Sequence, residues 1–327
     1  RLAGAAELEV ILCRVLGAAP RAHGGAGRPE ATGWVPVRVS LAAAPSEIAA
    51  AALRDLSALV ARSGLPRVGL ILRVAPRSRT KNLWGRVGGP LGGFSGVACP
   101  GRRCSCAVAR SLARRGSGAD GLERVALHGV VGSLGSDLAA GLGPAAEDVA
   151  LTDCQLEDRD LWRLAGLPAL RALDVSNNPR LTFGGVVAFG ISPNLTKLSL
   201  RWTKLQASAL SALLLLPALA ELDVSANLWV SEECGPLSSP RLESLNISSC
   251  FLEDDDAWEM LGPRANLPAL KRLDVSDNYL GGLAFARRLG ALTTLDARGN
   301  LVDPAHARRT LRGLDKLFAL DLRGNVS

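Results

Sequence analysis

Histidine is almost missing from this chain, with only His23, His128 and His306 among 327 residues. None stands beside a Cys or Ser in a nucleophile arrangement, so acyl transfer of the Ser–His or Cys–His kind has no carrier. Aromatic residues make up 4%, which removes the stacking platforms that single-stranded nucleic acid requires. No uninterrupted apolar run of about 18 residues occurs, so no segment reads as a membrane-spanning helix. The seven cysteines are scattered as Cys13, Cys99, Cys104, Cys106, Cys154, Cys234 and Cys250. An odd number with no paired cluster at either end argues against a disulfide-capped secreted domain. The expected setting is an intracellular, reducing compartment, cytoplasm or organelle interior, ahead of secretion.

What the chain has instead is a repeat. Leu270-Lys-Arg-Leu-Asp-Val-Ser-Asp-Asn278 has the pattern L-x-x-L-x-L-x-x-N, and the second half of the sequence returns to it with little variation. It recurs at Leu170…Asn178, Leu219…Asn227, Leu292…Asn300 and Leu317…Asn325, and with Cys in the ninth slot at Ala146…Cys154 and Leu242…Cys250. Looser copies start at Leu122 and Leu195, and successive starts lie 22 to 28 residues apart. This period and pattern resemble the leucine-rich repeat family. The resemblance implies an α/β solenoid with a curved parallel sheet inside and helices outside. Cys in the turn slot and helix-like spacing between strands resemble the ribonuclease-inhibitor-like and cysteine-containing branches, which are mostly intracellular.

The pattern also makes sense physically. Positions 4 and 6 alternate with polar residues, which is strand periodicity on a half-buried surface. No unit buries its leucines alone, so units must stack. A buried Asn in the ninth slot satisfies turn backbone groups that are otherwise orphaned, and Cys154 and Cys250 read as core residues. Between strands, Asp158–Leu167, Ala207–Leu216 and Pro304–Leu314 carry helical spacing. Glu253-Asp-Asp-Asp256 reads as the solvated acidic first turn of an outer helix.

Residues 121–327 are thus expected to be regular repeats. Residues 1–120 read either as degenerate repeats or as an N-terminal α/β cap with Gly/Arg-rich loops. Leu8–Cys13, Val39 with Leu41, Val68 with Leu70 and Val97 with Cys99 are traces of strands, with unit starts at 36, 65 and 94, and Ser46–Leu59 reads as an outer helix. Ala19–Thr32 and Arg77–Pro100 read as loops. The Gly-rich Arg77–Pro100 stretch lacks the phosphate-loop pattern and reads as an insertion. Cys99, Cys104 and Cys106 fall short of the four ligands a structural metal wants. No cofactor is expected.

Charge divides unevenly. Residues 1–146 carry a net +11 and residues 147–327 a net −4. The basic half concentrates a candidate patch of Arg77, Arg79, Lys81, Arg86, Arg102, Arg103, Arg114 and Arg115, suited to docking an acidic protein surface. The register sends positions 3, 5, 7 and 8 to the concave face. Its candidate partner-binding residues are Asp174, Arg201, Trp202, Asp223, Asp274, Asp296, Arg298, Asp321 and Arg323. An Asp line at position 5 calls for a cationic or hydrogen-bonding partner.

The functional expectation is a non-enzymatic protein–protein interaction scaffold, a subunit of a larger intracellular or organellar assembly. Partners are expected on the concave face and at the uncapped end near Ser327. The alternative is a secreted pattern-recognition receptor. Leu173-Asp-Val-Ser-Asn-Asn-Pro-Arg-Leu181 looks like the monocyte lipopolysaccharide co-receptor, and sequons stand at Asn194, Asn246 and Asn325. Asn246 falls in the expected sheet and Asn325 in the expected turn slot, where a glycan fits poorly.

Overall fold

The computed structural model describes residues 8–15, 34–40, 68–74, 96–99, 123–128, 139, 141–229 and 234–326. The chain divides into two compact units, residues 1–155 with 167–169, and residues 156–166 with 170–327.

In the first unit the strands are β1 (Leu8–Val15), β2 (Trp34–Ser40), β3 (Val68–Val74), β4 (Gly96–Cys99), β5 (Arg124–His128) and β6 (Asp148–Thr152). They order as β6-β5-β4-β3-β1-β2. From β3 to β6 neighbours are parallel. Val97 pairs with Val125, in the frame the repeat pattern expects, whereas Leu70 rather than Val68 faces Val97, a slip of two residues. β1 lies between β2 and β3 and is antiparallel to both. The traces at Leu8–Cys13 and Val39 are therefore not successive members of a parallel stack, because stacked units all cross the sheet in one direction. Ser46–Leu59, the predicted loop Ala19–Thr32, residues 77–95 and 100 of the other, Cys104, Cys106 and the whole basic patch from Arg77 to Arg115 lie outside the described residues. Gly96–Cys99, counted in that second loop, is strand β4 because it pairs with β3 and β5.

The second unit holds β7 (Ala172–Asp174), β8 (Lys197–Ser199), β9 (Glu221–Asp223), β10 (Ser244–Asn246), β11 (Arg272–Asp274), β12 (Thr294–Asp296) and β13 (Ala319–Asp321). Each pairs parallel with its sequence neighbour, without offset in the repeat frame. Position-4 leucines Leu173, Leu198, Leu222, Leu245, Leu273 and Leu295 are buried, as are position-6 residues Val175 through Ala297. Burying each such side chain stabilises by roughly 1.5–3 kcal/mol, realised only through stacking.

The outer layer consists of α1 (Asp158–Ala165), α2 (Phe183–Val186), α3 (Ala209–Leu213), α4 (Asp254–Leu261), α5 (Pro304–Thr310) and two 3-10 turns at Val187–Ile191 and Ala284–Arg288. These elements are shorter than the helix-like spacing predicts, since strand and turn leave few residues per unit. The expected acidic first turn is present. Asp256 accepts from Glu253 N–H (2.8 Å), and Asp160 closes α1 likewise on Glu157 (2.9 Å). Asp254 also accepts from the N–H groups of Gly281 (2.9 Å) and Gly282 (3.0 Å), tying α4 to the following unit.

Candidate functional site

The sheet face is built by a turn that six of the seven units from β7 to β13 repeat, Ser199 of β8 being the exception. At position 5 a carboxylate or amide accepts the N–H two residues on, a local Asx turn that ends the strand. Asp174 caps Ser176, Asp223 caps Ser225, Asn246 caps Ser248 and Asp274 caps Ser276, at 2.9–3.0 Å; Asp296 and Asp321 cap Arg298 and Arg323 at 3.1 Å. Position 8 then turns left-handed in unit after unit, at Asn177, Trp202, Ala226, Ser249, Asp277, Gly299 and Gly324, with φ between +52° and +70°. Where position 9 is Cys or Thr, position 10 is left-handed too, at Gln155, Lys204 and Phe251.

Asparagine at position 9 holds two units together. Asn227 donates to Leu200 O (3.0 Å) and Val224 O (2.8 Å) and accepts from Thr203 N–H and Leu205 N–H, both at 3.0 Å. Asn278 accepts from Cys250 N–H (2.9 Å) and Leu252 N–H (3.0 Å). Each Cys or Thr turn of this part of the chain thus receives its acceptor from the Asn of the next unit. The expected thiol role also holds: Cys250 is buried and donates to Val224 O (3.5 Å) and Ser248 O (3.4 Å), and burial pushes its pKa up to about 12.

The position-5 side chains stand in one file. Asp174 pairs with Ser199, Ser199 with Asp223, Asp223 with Asn246, Asn246 with Asp274, Asp274 with Asp296, and Asp296 with Asp321. Its charge is not uniform. Arg298 Nε sits 2.9 Å from Asp296 Oδ1, and Arg323 Nη2 sits 2.6 Å from Asp321 Oδ2. The Arg323 guanidinium and backbone N–H hold the Asp321 carboxyl down to about 2, and both arginines titrate above their ordinary value. Asp174, Asp223 and Asp274 make no ion pair among the described residues, although the Asp274 charge is felt by Arg298. Beside this file, Glu221 is bridged across strands by Lys197 (2.9 Å) and Arg272 (3.0 Å). Net negative charge on the face therefore concentrates at Asp174, Asp223 and Asp274. Arg201 and Trp202 are both exposed, on the turn that follows β8.

One row of residues escaped the sequence reading. Position 10, the first residue past the Asn slot, is Leu228, Phe251, Tyr279, Leu301 and Val326 in five consecutive units, and all five are between 39% and 64% exposed. Phe251 and Tyr279 touch, ring centroids 5.6 Å apart and tilted by 56°. At about 4.8 Å per unit the ridge runs roughly 20 Å along the flank where the chain leaves the sheet. Its signal was present as an apolar residue at a position the pattern leaves open.

The fold is a leucine-rich repeat solenoid. No family model and no curated protein matches the sequence. Solved structures with a similar fold include TLR13 in complex with ssRNA13, at 22% identity and a TM-score of 0.46, covering 71% of this chain and 36% of that one. An internalin (inlF) from Listeria monocytogenes matches at 16% identity and 0.40, over 84% and 88%. Human 5T4, the trophoblast glycoprotein, matches at 23% and 0.43, over 56% and 72%. The chain thus spans about a third of the length of the TLR13 chain. Among the described residues no helix is long and apolar enough to cross a membrane.

Proposed function

We propose that this chain is a non-enzymatic protein-binding scaffold whose partner lies along the sheet face and over the apolar ridge beside it. The ridge carries the reading. Single exposed leucines are ordinary, but five exposed apolar side chains at one repeat position, two of them in ring contact, are the kind of surface that marks an interaction site. The partner brings apolar side chains to the ridge and cationic or donor groups to Asp174, Asp223 and Asp274, with Arg201 and Trp202 at the N-terminal end of that strip. The self-paired Asp296, Arg298, Asp321 and Arg323 offer hydrogen bonds more than net charge. Membership of a larger assembly in a reducing compartment fits the buried Cys250 thiol, which donates to two backbone carbonyls and, like Cys154, occupies the turn slot of the cysteine-containing branch.

Site-specific photo-crosslinking tests this. A benzophenone side chain at Tyr279 should capture a protein from the native source, and the same probe at exposed Ser211 on α3 should not. The triple change D174N/D223N/D274N should weaken that capture without unfolding the chain, because Asn246 already makes the same turn with an amide. Equal labelling from Tyr279 and Ser211 would remove the proposal.

Secretion as a pattern-recognition receptor keeps one specific support, the exposed Asn194 of Asn194-Leu-Thr196. Asn246 and Asn325 instead serve the fold, the latter donating its amide to Ala297 O (2.7 Å) and Leu322 O (3.0 Å). Intact mass decides: one glycan at Asn194 favours the receptor, an unmodified chain the scaffold.

A further inference from the structure

The helix layer carries a second surface of opposite chemistry. Between α4 and the 3-10 turn Ala284–Arg288 opens a cleft of about 430 Å³, lined by Trp258, Pro263, Ala284, Phe285, Arg287 and Arg288. Phe285 forms a buried floor at 3% exposure, and the Trp258 indole is a half-open wall at 49%. The volume falls in the lower part of the range for ligand pockets, enough for one or two large side chains. Helix α5 packs beside the same 3-10 turn and presents Arg308 and Arg309, with Arg312 following.

None of these arginines is engaged in an ion pair among the described residues. Nine other cations of this unit, among them Lys197, Arg264 and Arg272, are held in ion pairs. Among the described residues Arg287, Arg288, Arg308, Arg309 and Arg312 are all exposed, and none reaches a carboxylate. Two exposed guanidiniums without an ion-pair partner on the rim of an apolar recess, with three more on and just after the neighbouring helix, are complementary to carboxylates attached to an apolar anchor.

We propose that this cleft binds an acidic peptide segment of a partner protein, one aromatic or large aliphatic side chain seated between Trp258 and Phe285 and flanking Asp or Glu residues paired with Arg287, Arg288 and the arginines of α5. The recess favours a peptide over the other polyanions. Single-stranded nucleic acid needs successive stacking aromatics, and the lining offers one half-exposed indole. A membrane surface needs apolar side chains that protrude, whereas Phe285 is sunk below the surface. The site belongs to the helix layer and stands or falls separately from the sheet-face reading.

A displayed library of random dodecapeptides, panned in parallel on the full chain and on its R287E/R288E variant, tests it. The wild-type chain should enrich peptides with Asp or Glu around an aromatic residue or Leu, and the reversed-charge variant should not. The best synthetic peptide, followed by fluorescence anisotropy, should lose about tenfold or more in affinity to R287E/R288E and about thirtyfold to W258A. Both arginines are exposed, so the reversed variant should keep the wild-type melting curve and hold the test open even should W258A misfold. Enrichment of acid-poor peptides, affinity indifferent to R287E/R288E, or poly(U) or phosphatidylserine vesicles binding these arginines more tightly than any peptide would overturn the proposal.

Discussion

Replacing Asn227 with Ala tests the physical basis of the stack most directly. The side chain is fully buried and serves four backbone groups in two units at 3.0 Å or less, with a fifth, Ser225 O, at 3.5 Å. The four are not equally vulnerable. Leu200 O keeps the Thr203 hydroxyl at 2.7 Å, and Val224 O keeps the Cys250 thiol at 3.5 Å. The N–H groups of Thr203 and Leu205 lose their only acceptor. A buried donor left unsatisfied costs about 1–3 kcal/mol, so the two together cost about 4 kcal/mol, a large part of the roughly 5–15 kcal/mol that holds a domain folded. Cys250→Ala removes a weak bifurcated donor and one sulfur, and should cost about 1–2 kcal/mol. Urea unfolding can be followed through Trp229, whose indole N–H donates to Leu205 O at 2.7 Å inside the same region. Amide exchange at Thr203 and Leu205 then shows whether the loss is local. Equal costs for the two variants, or unchanged protection of those two amides, would refute the idea that the asparagine oxygen is what joins adjacent turns.

Other outcomes follow from the same geometry. Because the folded Cys250 thiol titrates at about 12 against 9.0 for an ordinary thiol, its contribution is fully present below pH 9 and fades as pH climbs toward 12. Wild type should therefore lose stability across that window faster than Cys250→Ala, by up to about 1.4 kcal/mol per pH unit, and matching slopes would contradict the assignment. Asp321 should titrate near 2 by carboxyl NMR. Its small stabilising effect is present above the ordinary value of 3.8 and disappears as pH falls through 2, and Arg323→Ala should return the midpoint toward 3.8. Ala226 sits at φ +55°, so Ala226→Gly should stabilise by about 0.5–1 kcal/mol, against the usual sign for that change. A thermal melt that drops instead would show the strain to be absent.

The repeat announces itself in the amino-acid order because its signals are local. Alternation such as Leu173-Asp-Val175 and an Asn three residues later fix which side chains face inward, and parallel stacking then follows from burial alone. The file from Asp174 to Asp321 could be counted off the page for the same reason. Its splitting into open carboxylates and arginine-neutralised ones was half visible, in Asp-x-Ser against Asp-x-Arg. The antiparallel placement of β1 between β2 and β3 was not legible, because strand direction depends on the path of the connections and a single strand's alternation reads alike both ways.

Sequence by itself determined the unit, its register and its buried positions, through contacts within a few residues or one period. Tertiary structure alone decided what the solenoid leaves uncovered. Leu228, Phe251 and Tyr279 look like core residues in a string of letters, and only stacking shows that the positions beside them, Trp229, Leu252 and Leu280, took the interior instead. The cleft at Trp258 needs α4 and Ala284–Arg288, two successive units, to lie side by side. Surface is what remains after packing, so it cannot be read before the packing is known.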